Sequence, residues 1–274
     1  MSWFNLKENT LGTLPCNEDN KLITESNELI NSITKDWNKN KIFKFNNNNL
    51  KIQTYSKKIN SEYVVARVNV FPNDENHKYE NFIHYLIGAE RNPNQSSEWG
   101  VSDNYNHTRF EQNYIKVLES WEPLEFSKYK EYSKLVDQDG NYSEQYKHLK
   151  DWIGVKLVYN IGPIFNKREF NEFIFIQPPI LESSFNKKIH PENNSEVSFV
   201  ISLVAKPLQD NNNFVNGLYC SIERIKLNLQ TNEIEWAMMT SSDAKGSLPL
   251  FLQKLGIDKS ISEDVPSFLN FITQ

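Results

Sequence analysis

Five histidines, two cysteines and 35 acidic residues are the groups in this 274-residue chain whose types most readily do chemistry. His77, His84, His107, His148 and His190 fall into neither the His-x-x-x-His nor the His-Glu-x-x-His spacing of a zinc site. Cys16 and Cys220 form no Cys-x-x-Cys pair. Two cysteines are also too few for a secreted disulfide scaffold, so a reducing compartment is expected. There is no Gly-x-Ser-x-Gly elbow, P-loop or Gly-x-Gly-x-x-Gly, and with only nine glycines the loops that cradle phosphates are scarce. Carboxylate pairs such as Glu119/Glu122 and Glu263/Asp264 occur in a chain too rich in acids for pairing to carry meaning. These residues give no catalytic signature, no metal and no cofactor, and the chain reads as a non-enzyme.

The elements that would position any site are mostly strands. Leu22, Ile23, Ser26, Leu29, Ile30, Ile33 and Trp37 lie on one helical stripe, with Asp19 or Asn20 as the expected cap. Strand patterns follow over 42–55, broken by the Asn46 to Asn49 turn, and over 63–71, where Val64, Ala66, Val68 and Val70 share a face. Helical segments are predicted over 78–90 and 108–118. Strands are predicted over 153–161, 169–177, 196–207, 217–228 and 233–240, the last three spaced like an antiparallel meander. Two helical stretches, 247–255 and 265–272, close the chain, the first with Pro249 in its opening turn. This order predicts an α+β fold with one curved antiparallel sheet closing around helices.

Composition narrows the function classes. Hydrophobic residues make up 38%, and 17 Phe, 12 Tyr and 6 Trp supply a large core, which argues against disorder. Net charge is −5, with lysines and acids interspersed, whereas a nucleic-acid binder concentrates positive charge on one face. The stretch Met1 to Glu8 has neither the basic nor the apolar region of a signal peptide, and runs such as Phe173-Ile174-Phe175-Ile176 are only strand-sized. A cytoplasmic protein that reaches membranes only peripherally is expected.

One stretch is more specific. Glu235-Trp236-Ala237-Met238-Met239-Thr240-Ser241-Ser242-Asp243-Ala244-Lys245-Gly246-Ser247-Leu248-Pro249, with the later Asp264-Val265-Pro266-Ser267-Phe268-Leu269, resembles a family of fungal START-like proteins of unassigned function. That family shows a Trp-x-Met strand, a Ser-Asp-Ala-Gly-Gly turn, a Leu-Pro helix start and an Asp-Val-Pro-x-Phe-Leu segment. Lys245 departs from it by standing where the pattern has Gly. Gly162 to Phe170 is similar to the START-type corner that leads through Arg-x-Phe into a strand. The histidine often found after the early strand is not evident, since Phe71 and Pro72 stand there.

The resemblance implies a START-like helix-grip fold: a curved antiparallel sheet wrapped around a long C-terminal helix, with an internal hydrophobic cavity. It implies residues 1–18 as an N-terminal extension and 19–274 as a single domain. The expected activity is binding, and transfer between membranes, of one hydrophobic molecule: a sterol, phospholipid or fatty-acid-like lipid. The protein would act as a monomer, touching membrane surfaces transiently and binding no nucleic acid.

Candidate cavity-lining residues are Arg67, Tyr159, Arg168, Trp236, Met238, Leu248, Phe251, Leu252 and Leu255. All but Tyr159 have a plainer reading. The leucines and Phe251 form an ordinary apolar helix face, Trp236 and Met238 are core, Arg67 lies on an exposed strand face, and Arg168 makes an ion pair or holds loop carbonyls. The loop 177–191, with Pro178-Pro179-Ile180-Leu181 and Phe185, is the candidate membrane contact. Two alternatives stay open: an enzyme on the same scaffold, with Arg67, Tyr159 and Asp243 converging, and a protein-interaction module with a filled core.

Overall fold

The computed structural model describes residues 2–45, 50–92, 95–162, 166–190, 194–209, 213–246 and 250–273, with the side chains of 95–97 and 250–255 outside the description. The stripe of Leu22, Ile23, Ile30 and Ile33 forms α1 (Lys21–Asp36). Asn20 sits at its N-cap but makes no side-chain cap; Asn17 Oδ1 accepts from the Ile23 amide instead, at 3.3 Å. Three strands follow, β1 (Asn38–Phe45), β2 (Leu50–Ile59) and β3 (Glu62–Pro72). Asn60 and Ser61, both at positive φ, join β2 to β3, as a two-residue hairpin turn of primed type demands.

The next helix is short. A single α turn, α2 (Tyr79–Phe82), continues as one wide turn over Ile83–Ile87. Gly88 stops it at φ +77°, where a Cβ would come within 2.6 Å of the His107 amide nitrogen. A small hairpin, β4 (Glu90–Asn92) and β5 (Gln95–Gly100), leads to α3 (Asn106–Tyr114). The helix predicted over 108–118 therefore ends early, because 118 starts β6 (Leu118–Pro123), a polar edge strand without a clear apolar alternation.

The remaining strands are β7 (Trp152–Tyr159), β8 (Arg168–Leu181), β9 (Ser195–Val204), β10 (Val215–Asn228) and β11 (Glu233–Asp243). Residues 177–181, read from sequence as the start of a loop, belong to β8; an irregularity between Gln177 and Ile180 absorbs the two prolines that cannot donate to the ladder. The C-terminal end is one helix, α4 (Leu250–Ile272), rather than two segments, and it runs through Pro266.

The nine large strands form one curved sheet in the order β1-β2-β3-β11-β10-β9-β8-β7-β6. Neighbours pair antiparallel, and beyond the end of β9 the first residues of β10 pair parallel with the first of β8, Val215 opposite Arg168 and Gly217 opposite Phe170. Both faces of the sheet are covered. On one side α1 and the N-terminal segment bury Phe4, Leu11, Leu14 and Ile33 against Val64, Ala66, Phe199, Ile201, Cys220, Ile222 and Met239. On the other, α2, α3 and α4 bury Phe82, Tyr114, Val265 and Phe268 against Val155, Ile174, Val200, Ile225 and Trp236. The period-2 alternation of the strands divides their residues between these cores.

Candidate functional site

Between α4 and the end of the sheet where β7, β8, β10 and β11 meet lies a pocket of about 410 Å³. Its outer wall is apolar, built from Ile115, Val117, Ile161, Ile257 and Ile261. Its inner wall carries Tyr159, Phe170, Tyr219 and Met238, with Tyr159 and Phe170 packed edge to face at 5.4 Å. Its floor is acidic. Glu111 from α3, Glu172 from β8 and Asp264 from α4 line it, and a separate void of about 20 Å³ that shares Glu111 and Glu172 is lined also by His107, Ser202, Ser221 and Glu223. A wider depression of about 980 Å³ near Glu122, Lys128 and Lys156 is a polar surface groove whose charges are already paired, Lys128 with Glu125 and Lys156 with Glu122. The pocket under α4 combines apolar walls with convergent polar groups, the combination that marks small-molecule sites.

The elements aim these acids inward by simple periodicity. Glu172 shares its face of β8 with Phe170 and Ile174, and Glu223 shares its face of β10 with Ile225. His107 and Glu111 are one helical turn apart on α3, Nε2 to Oε2 3.7 Å. The other nitrogen of His107, Nδ1, lies 2.5 Å from the Leu86 carbonyl, which fixes the proton there in the neutral ring. Burial holds the imidazole below its ordinary pKa. Burial also pushes Glu111 and Asp264 up to about 7 and raises Glu172 and Glu223. Glu111 lines the pocket and keeps 24% of its side-chain surface, so the protein desolvates its carboxyl without enclosing it.

Arg67 is the main counter-charge. It is fully buried on the α4 side of β3, which corrects the reading of an exposed strand face, and burial lowers its pKa. Its guanidinium stacks 4.0 Å from the centre of the Trp236 ring, and Nε donates to the Ile261 carbonyl of α4 at 2.7 Å. Nη2 lies 3.9 Å from Glu223 Oε1, an oxygen that also accepts from the Trp236 indole at 2.6 Å. Arg67 and Trp236 therefore hold the layers together around the pocket rather than line it, while Tyr159 and Met238 do line it.

Arg168 sits beneath the turn into α4, Nε donating to the Ala244 carbonyl at 2.8 Å and Nη1 to that of Asn166. In that turn Asp243 Oδ1 accepts from the Lys245 amide at 2.9 Å, and its other oxygen pairs with the Lys245 ammonium at 2.8 Å. Lys245 is left-handed, φ +51°, which explains why glycine suits this position in the related pattern. Tyr159, Arg67 and Asp243 are thus engaged with three different sets of partners. Leu248 and the side chains of Phe251, Leu252 and Leu255 lie outside the described residues. In the segment 177–191, Ile180 and Phe185 pack against the core on the α1 side of the sheet, and Leu181 is exposed.

Sequence reasoning did not single out Glu111, Glu172, Glu223, Asp264 or His107 as site residues. The available signal was a charged residue on the apolar face of a strand, as at Glu172 between Phe170 and Ile174. Among the described residues no helix is long and apolar enough to cross a membrane, and no group of three or more His, Cys, Asp or Glu is placed to hold a metal ion.

In overall shape the chain is similar to human StAR-related lipid transfer protein 5, with a TM-score of 0.53 over 91% of this chain and 92% of that one, at 8% identity. The lipid transfer and protein localization domain of human StarD13 (DLC2) aligns at 13% identity over 92% and 96%, TM-score 0.47. A STAR-related lipid transfer protein fragment from Xanthomonas axonopodis aligns at 8% over 87% and 99%, TM-score 0.49. At these identities the likeness is one of fold, carried by the first of the three, and the fold is the START-type helix grip. No curated protein matches the chain in sequence. A family model described as a protein of unknown function, DUF3074, matches residues 65–272, which hold every pocket residue named above. The chain belongs to the DUF3074 family.

Proposed function

We propose that this protein is a non-enzymatic carrier that binds one hydrophobic small molecule or lipid in the pocket under α4. The observation that carries the reading is that pocket. It is about 410 Å³, within the ~300–1,000 Å³ of sites that enclose small ligands. Burying an apolar body there contributes about 25 cal/mol for each Å² removed from water, several kcal/mol for a sterol-sized ligand. The carrier works as a monomer in the cytoplasm. It makes transient contact with a membrane surface at the apolar rim of the pocket, where Val117 is exposed, or through the segment that carries the exposed Leu181. Exchange requires α4 to move away from the sheet at its pocket end.

The test is native mass spectrometry of the full chain purified from a eukaryotic host, with extraction of any adduct. A stoichiometric hydrophobic adduct is the expected result. A bare mass that stays unshifted after incubation with mixed-lipid vesicles would overturn the reading.

A further inference from the structure

The ligand's chemical class follows from the charges at the pocket floor. Three carboxyls line it, Glu111, Glu172 and Asp264, and a fourth, Glu223, lines the small void beside it. The cations near them are largely spoken for. Arg67 serves Glu223, the Ile261 carbonyl and the Trp236 ring. At the rim Lys259 faces Glu263 at 3.5 Å. His107 places Nε2 toward Glu111, but its Nδ1 is engaged by Leu86, and burial keeps the ring neutral.

Glu172 is the telling residue. It is only 3% exposed, it lines the pocket, and its one hydrogen-bonding side chain among the described residues is Ser202. The charge that acts on it is another acid, Glu111. A carboxyl buried on a strand with no cation beside it among the described residues is costly to ionise, and an entering cation would supply the partner that makes ionisation favourable. The neighbouring Tyr159, Phe170 and Tyr219 present aromatic surface to the same space, and aromatic faces attract cations.

We propose that the pocket takes an amphiphile whose polar end is a free amine, bound as the ammonium by Glu172 and Glu111 with Asp264 beside them, its apolar body lying toward Ile115, Ile161 and Ile257. This assignment rests on the carrier reading and narrows it. A fatty acid or an anionic phospholipid would bring negative charge onto the floor, and a zwitterionic headgroup would bring a phosphate with its ammonium. Burial raises the affinity of these carboxyls for protons, so an ammonium that arrives beside them displaces part of the protons they hold near neutral pH.

The experiment compares dodecylamine, dodecanol and dodecanoic acid, each below its aggregation concentration, by isothermal titration of the full chain in buffers of different ionisation enthalpy. The amine is expected to bind at least tenfold more tightly than the alcohol, with protons released on binding and with affinity rising from pH 6 to 8. In Glu172→Gln the preference over the alcohol is expected to fall to within about threefold, with alcohol binding retained, which also shows that the variant is folded. Equal or tighter binding of the alcohol or the acid, or amine binding without proton release, overturns the amine assignment alone. Failure of all three probes to bind overturns the pocket as a ligand site, and this assignment with it.

Discussion

Replacing Arg67 with alanine is expected to cost about 3–5 kcal/mol of folding stability, the range for removing one partner of a buried charge pair. The side chain is wholly buried and serves three elements at once: the Ile261 carbonyl of α4, the Trp236 ring of β11 and the Glu223 carboxyl of β10. Its hold on α4 falls close to Pro266, which lacks the amide that the Ser262 carbonyl would otherwise accept. Loss of the guanidinium leaves a cavity, an α4 carbonyl without its side-chain donor and a buried acid without its counter-charge. Urea denaturation checks the magnitude. Because Glu223 loses its partner in the single variant, Arg67→Ala with Glu223→Gln should be less destabilised than the two single losses added together. A loss under about 1 kcal/mol for Arg67→Ala would show that the helix is held by its apolar face alone, through Val265, Phe268 and Leu269.

The second large effect is on pH. Glu111 and Asp264 move from ordinary values of 4.5 and 3.8 to about 7 on folding, through burial, and Glu172 and Glu223 move in the same direction. Between those limits the folded state holds protons that the unfolded chain has released. The stabilisation is therefore complete below about pH 4 and is lost as pH rises through 7. His107 acts the other way: its depressed pKa gives stability that is present above 6.5 and lost as pH falls. The exposed carboxylates of Asp74, Asp103 and Asp137, held low by hydrogen bonds, lose theirs only in stronger acid. Stability should then peak on the acid side of neutrality and fall by a few kcal/mol toward pH 8. Melting temperatures of the unliganded chain across pH 5 to 8 check this, with Glu111→Gln and Asp264→Asn each flattening the slope. A melting temperature that rises over that interval would mean that the acids are solvated rather than buried.

The fold was legible because strands announce themselves through local pattern. Val64 to Phe71, Trp152 to Tyr159 and Glu233 to Thr240 alternate or run apolar, and the structure pairs them as one sheet. What local pattern did not reveal was continuity. Gly256 and Pro266 break the apolar rhythm of the C-terminal stretch, yet α4 runs through both, because packing against β1, β2, β3 and α3 outweighs propensity. Pro178 and Pro179 hid the end of β8 in the same way.

The site was legible only in part. Tyr159 and Met238 stand in the lining of the pocket, and Arg168 donates to the Ala244 carbonyl in the turn before α4. The acids escaped notice because each is unremarkable in its own segment. Glu111 lies in α3, Glu172 in β8, Glu223 in β10 and Asp264 in α4, and only tertiary folding brings them to the pocket and the small void beside it. Arg67 looked solvent-facing because its neighbours Tyr63 and Asn69 are polar; helix α4, almost two hundred residues later, covers that face.

The two thiols offer a clock. Cys16 is exposed near the start of the chain, whereas Cys220 is wholly enclosed within β10, with burial raising its pKa far above the ordinary thiol range. A folded molecule should therefore show one titratable sulfhydryl to a water-soluble disulfide reagent, and a denatured one two. The delay before the second reacts would time the opening of the strand that carries Tyr219 and Glu223. Bound ligand should lengthen that delay, so occupancy could be followed before the natural cargo is known.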